Sequence, residues 1–156
     1  MCIAWSKAKI LLLSILVVMA TPPVNAEHIC SVHDGDTFTI CDGRRVRVAG
    51  IDAPEIDQPF GIESRNYLRS LIQDQDVKLE CDGSKSYSRI VCTPYVSIES
   101  LMVRAGFAFD YPHYSHGFYA KNEEEAKTRR LGVGSQPGGG ERPWDHRHKD
   151  KRINNK

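Results

Sequence analysis

The rhythm of hydrophobic and polar positions changes several times along the chain. Ile10–Ala20 is a short apolar run behind Lys7 and Lys9, and the small residues of Val24-Asn25-Ala26 follow it. Residues 1–26 therefore read as a cleaved secretory signal peptide, the run being too short for a comfortable membrane span. His28–His33 and Thr37–Cys41 are short apolar-containing runs separated by a turn signal, Asp34-Gly35-Asp36. After a second turn signal at Asp42-Gly43, Val46 and Val48 alternate with Arg45 and Arg47, the period of a half-buried strand. Pro54 breaks the pattern, because it confines Ala53 to extended geometry.

From Gly61 to Ile72 the spacing turns helical, with Tyr67, Leu68, Leu71 and Ile72 on one face. Alternation returns at Asp76–Cys81, where Val77, Leu79 and Cys81 share a side. Asp82–Ser88, with Gly83 and three serines, reads as a loop before a strand at Ile90–Val96. Ser97 is placed to cap a helix over Ile98–Arg104, and Gly106 to end it. Tyr119–Leu131 is a charged helix in which Glu123 precedes Lys127 by four residues. Residues 135–156 are rich in Gly, Pro and charge, and read as a largely disordered tail, with docking of Pro143-Trp144-Asp145 on the barrel as the alternative. The chain thus divides into a leader at 1–26, a domain at 27–134 and a tail at 135–156. The order within the domain is three strands, a helix, two strands and two helices. This α+β order fits a five-stranded OB-fold barrel with about three helices. Order alone also admits an open α+β sheet.

Composition narrows the class. Removing the leader from 156 residues leaves 130, enough for one domain with a real core and too few for a multidomain enzyme. The charged fraction is 26% and the hydrophobic fraction 40%, which excludes a wholly disordered chain. Without Lys7 and Lys9, 19 basic side chains face 20 acidic ones, so no global basic field points to nucleic acid. Cys30, Cys41, Cys81 and Cys92 remain after the leader. Four cysteines in an exported chain predict disulfides, and each neighbouring pair flanks a candidate hairpin, so pairing 30–41 and 81–92 is expected. Cys30 follows Glu27-His28-Ile29 rather than small residues, which argues against a lipid anchor.

Asp34, Asp36, Asp52 and Glu55 sit at turns or strand ends, where Asp is common for local reasons. Their combination points further. In a meander, Asp36 and Asp52 come to one edge, an oxygen site suited to a hard divalent cation such as calcium. Glu55, one turn on, is placed to hold a water as general base. Arg47 and Arg89 supply guanidinium forks that match phosphoryl oxygens. His113 and His116 flank Tyr114 and read as part of a solvated loop rather than a metal site.

His33-Asp34-Gly35-Asp36-Thr37 and Arg47-Val48-Ala49-Gly50-Ile51-Asp52-Ala53-Pro54-Glu55 resemble the thermonuclease family, the staphylococcal or micrococcal nucleases. Gln58-Pro59-Phe60-Gly61, Ser86-Tyr87-Ser88-Arg89 and Leu101–Ala108 continue the resemblance in order, from about residue 30 to residue 133. The resemblance implies an OB-fold nuclease that uses calcium and cleaves DNA and RNA by attack of water on phosphorus. The 5′ oxygen leaves, giving 3′-phosphate ends. It implies Asp36, Asp52 and the Ala53 carbonyl as calcium ligands, Glu55 as the base, and Arg47 and Arg89 as catalytic arginines. Tyr87, and Tyr111 or Tyr114, correspond to tyrosines that touch the nucleotide. Ala53, Ser86, Ser88 and Glu99 depart from the family pattern without removing any of these groups.

The expectation is therefore an exported, periplasmic or secreted, monomeric nuclease without a membrane anchor, acting on DNA or RNA with single strands favoured. Two rivals stay open. One is a catalytically silent OB-fold binding module. The other is an accessory protein of envelope or polysaccharide assembly on the same scaffold.

Overall fold

The computed structural model describes residues 26–154. The expected leader lies outside them, except for Ala26. Five strands close a barrel: β1 (Ala26–Val32), β2 (Thr37–Ile40), β3 (Arg45–Val48), β5 (Asp76–Ser86) and β6 (Arg89–Pro94). Around the barrel the order is β1-β2-β3-β6-β5, and β1 closes on β5. All pairings are antiparallel except β3 with β6. This is the OB-fold. A two-residue strand, β4 (Ile51–Asp52), pairs outside the barrel with β7 (Phe109–Asp110).

The alternation seen in the sequence explains the barrel core. Ile29, Phe38, Val46, Val48, Val77 and Cys92 point inward and are buried. Helix α1 (Gly61–Ile72) adds Leu68 and Ile72 to this core, while Tyr67 and Leu71 pack partly buried against it. Helix α2 (Ile98–Arg104) adds Ile98, Met102 and Val103. Gly106, with φ 75°, ends that helix as expected. Ser97 precedes α2 without a side-chain cap; its carbonyl accepts the Leu101 N–H instead. Both expected disulfides are present. Cys30–Cys41 ties β1 to the end of β2, and Cys81–Cys92 joins directly paired residues of β5 and β6.

Three expectations need correction. Asp82–Ser86 is strand rather than loop: Lys85 and Ser86 pair with Ile90 and Arg89, and Tyr87 turns the hairpin with φ 58°. Backbone ladders tolerate this polar sequence because both faces lie at the surface. Among the described residues, besides the three expected helices, the last of them α4 (Ala120–Thr128), there are two more, α3 (Pro112–Ser115) and α5 (Pro143–Asn154). Residues 135–154 are therefore not a disordered tail. Two short 3-10 turns at Gly132–Ser135 and Pro137–Gly139 lead into α5. The segment is held by Arg142, whose guanidinium forks onto Glu123 of α4 at 2.7 and 2.9 Å and lies 4.5 Å over the Phe109 ring. Among the described residues no helix is long and apolar enough to cross a membrane.

Candidate active site

The site begins at the Asp34-Gly35-Asp36 turn between β1 and β2. The Asp34 carboxylate accepts the Asp36 N–H at 3.0 Å, folding the turn on itself. The turn lies hard against α1: a Cβ on Gly35 would stand 1.8 Å from Ser64 Oγ and 2.6 Å from the Ala53 side chain. Only glycine allows that approach. Asp36 is thereby delivered to the start of β2, where its carbonyl accepts the Val48 N–H at 2.8 Å.

Arg47 comes from the middle of the barrel wall, on β3. The sequence placed it opposite Val46 and Val48, and it is nevertheless buried. Its guanidinium donates to the Val48 carbonyl at 2.9 Å and pairs with Asp36 Oδ2 at 3.0 Å and Asp52 Oδ1 at 2.7 Å. One arginine thus holds both carboxylates. The Ala53 N–H donates to the same Asp36 Oδ2 at 2.8 Å, stitching β4 to the β2 turn. Thr37, fully buried, donates its hydroxyl to Asp36 Oδ1 at 3.1 Å and accepts from Arg89 Nη1 at 2.9 Å. Arg89 also donates to Ser86 Oγ at 3.1 Å. The second arginine therefore reaches Asp36 through one hydroxyl.

Glu55 follows Pro54 in a tight turn clamped by Gln58. The Glu55 N–H donates to Gln58 Oε1, and the Gln58 N–H to the Glu55 carbonyl, both at 2.9 Å. The Glu55 carboxylate is one-third exposed. Its partner is one that sequence reasoning missed: Arg147 of α5 donates to Glu55 Oε1 at 2.7 Å and forks onto Asp52 at 2.8 and 3.1 Å. Trp144, one helical turn earlier, stacks on Tyr111 at 4.9 Å with the rings 9° from parallel. Tyr114 meets Tyr111 edge-on at 5.0 Å and is mostly exposed, and Tyr87 stands exposed at the hairpin tip. In the sequence Trp144 is a visible candidate for docking, but nothing in the local pattern points to Arg147.

Burial dominates the electrostatics of the site. Burial, then the neighbouring Asp36 charge, pushes the Asp34 carboxyl up to about 7. Burial also raises Asp52, and Asp36 adds to this, against the opposing pull of Arg147 and Arg47. The donors are all oxygen. Among the described residues no three His, Cys, Asp or Glu side chains converge as a ready-made metal cluster. Carboxylate and backbone oxygens are the ligand type a hard cation takes.

An OB barrel whose strand ends gather buried carboxylates around guanidinium groups defines the class of this protein. The family model described as staphylococcal nuclease homologue matches residues 45–136, and the chain belongs to that family. It is 34% identical over 140 residues to a micrococcal nuclease of Shigella flexneri, covering 78% of this chain and 80% of that protein. An uncharacterized endonuclease of Haemophilus influenzae is 33% identical over 138 residues, covering 80% and 78%. A staphylococcal-like nuclease of Arabidopsis thaliana is 32% identical over 117 residues, 71% of this chain but 35% of that longer protein.

Proposed function

We propose that the protein is an exported, calcium-dependent nuclease that hydrolyses phosphodiester bonds of DNA, RNA or both, leaving 3′-phosphate ends and favouring single strands. The observation that carries this reading is Arg47 bridging Asp36 and Asp52, with Glu55 clamped one turn beyond. Family membership and the nuclease names of the relatives support it. Two disulfides and the leader sequence support export.

Asp36, Asp52 and the Ala53 carbonyl would hold the calcium, which would supply positive charge to the phosphoryl oxygens. Glu55 accepts the proton of the attacking water at its carboxylate. Its exposed face and fixed backbone suit that task. Arg47 and Arg89 donate to the phosphoryl oxygens as negative charge develops there, and both are pre-oriented by buried partners. Tyr87, Tyr111 and Tyr114 contact the nucleotide.

The experiment measures turnover on denatured DNA and single-strand affinity for wild type, Glu55→Gln and Arg89→Lys, in calcium and in chelator. Glu55→Gln keeps shape but cannot take the proton, so turnover should fall about 10²–10⁴-fold. Arg89→Lys loses the planar fork and should also turn over slowly. Affinity should change much less, because the lost interactions strengthen in the transition state. Turnover that survives both substitutions, or persists in chelator, would overturn the mechanism. Single-strand binding without wild-type turnover in calcium would favour a silent binding module.

A further inference from the structure

We propose that α5 is an intramolecular inhibitor, in which Arg147 takes the place of the cation on Asp52 and occupies Glu55, so that calcium must expel the helix to open the site. The inference rests on the metal and base roles proposed above.

The contacts make occupancy mutually exclusive. Both Asp52 oxygens accept from Arg147, at 3.1 and 2.8 Å, and Oδ1 accepts from Arg47 as well. Asp52 is fully buried, so no further oxygen face is open to a cation while the fork is in place. A dication on Asp52 would also sit against a fixed positive charge within a few ångströms, and like charges there repel strongly. The same guanidinium binds Glu55 Oε1, the atom that would receive a proton. Trp144 covers a face of Tyr111, a face a base would stack upon. One helix therefore blocks cation, proton acceptor and nucleotide platform together.

The helix is also built to leave. Beyond Pro143 and Trp144, its described side chains are polar or charged through Arg152. It is held by the aromatic stack, by the Arg147 fork on buried Asp52, and by ion pairs at the rim that water can reach. Arg147 and Glu55 are more than one-third and one-third exposed, and His146 pairs with Asp57 and Glu141 at the rim. Such contacts weaken when a competing ion arrives. Gly138-Gly139-Gly140, all at positive φ, lie between α4 and α5, and Arg142, just before α5, keeps the start of the segment tied to Glu123.

The test uses the full chain and two readouts besides turnover. Calcium affinity is measured by calorimetry for wild type, Arg147→Ala, Arg147→Gln and Asp52→Asn. Hydrogen exchange of the residue 143–149 amides is followed in wild type with and without calcium. If the docked form dominates by about tenfold, the apparent affinity is reduced by the same factor. Both Arg147 variants should then bind calcium about tenfold or more tightly, and calcium should speed exchange across 143–149. Equal or weaker calcium binding in both Arg147 variants, or exchange that ignores calcium, would overturn the inhibitor. Calcium binding unchanged by Asp52→Asn would instead remove the metal assignment beneath it. Binding that needs Asp52 but ignores Arg147 would remove the inhibitor alone.

Discussion

Replacing Arg47 with alanine should cost more stability than any other single change at the site. The guanidinium is 11% exposed, and its partners Asp36 and Asp52 are 7% and 0% exposed. Removing one member of a buried ion pair typically costs about 3–5 kcal/mol, because a desolvated charge is left behind. Asp52 keeps its fork from Arg147, so the loss falls chiefly on Asp36, which retains the Ala53 N–H and the Thr37 hydroxyl. That places Arg47→Ala at the lower end, about 3 kcal/mol. The lost bond to the Val48 carbonyl adds roughly 1 kcal/mol. The assay is urea unfolding at neutral pH in chelator, repeated in calcium. The deficit should be largest in chelator. It should shrink in calcium, which would neutralise the same oxygens. A loss below about 1 kcal/mol in chelator would refute the reasoning, because it is the size of a solvent-screened surface pair.

Glu99, buried on α2 with Oε1 lacking a hydrogen-bond partner among the described residues, has its carboxyl pushed up to about 7 by burial. The folded state therefore binds a proton that the unfolded state releases, and stability should fall as pH rises from about 4.5 to about 7. Glu99→Gln should flatten that slope and stabilise the protein above it by about 2–3 kcal/mol in denaturant titrations; an unchanged slope would refute it. Reducing both disulfides, each spanning 11 residues, should destabilise the fold by roughly 2–3 kcal/mol per bridge, read as a lower thermal midpoint once free thiols are confirmed. A midpoint that ignores reduction would show that the hairpins do not need them.

Local pattern carried much of this protein. The inward Val46, Val48 and Val77 and the helical face of α1 are readable because their spacing repeats every two, three or four positions, whereas Arg47, buried on the opposite face, and Cys81, exposed, escape that rule. The disulfides are equally local, since each pair flanks one hairpin. Asp36, Arg47, Asp52 and Glu55 lie within 20 residues of chain, so their meeting was legible from a meander of short strands. What lay beyond such reasoning came from contacts between distant segments. Residues 82–86 form strand because β6 offers a ladder, not because their side chains alternate. Helix α5 has almost no apolar face, and its docking depends on Glu123, Tyr111, Asp52 and Glu55, which fold the chain back across as many as 95 positions. No local periodicity encodes a guanidinium finding a carboxylate so far away. The choice between a free tail and a helix laid over the site is set by charge and shape complementarity that exist only once the barrel has closed.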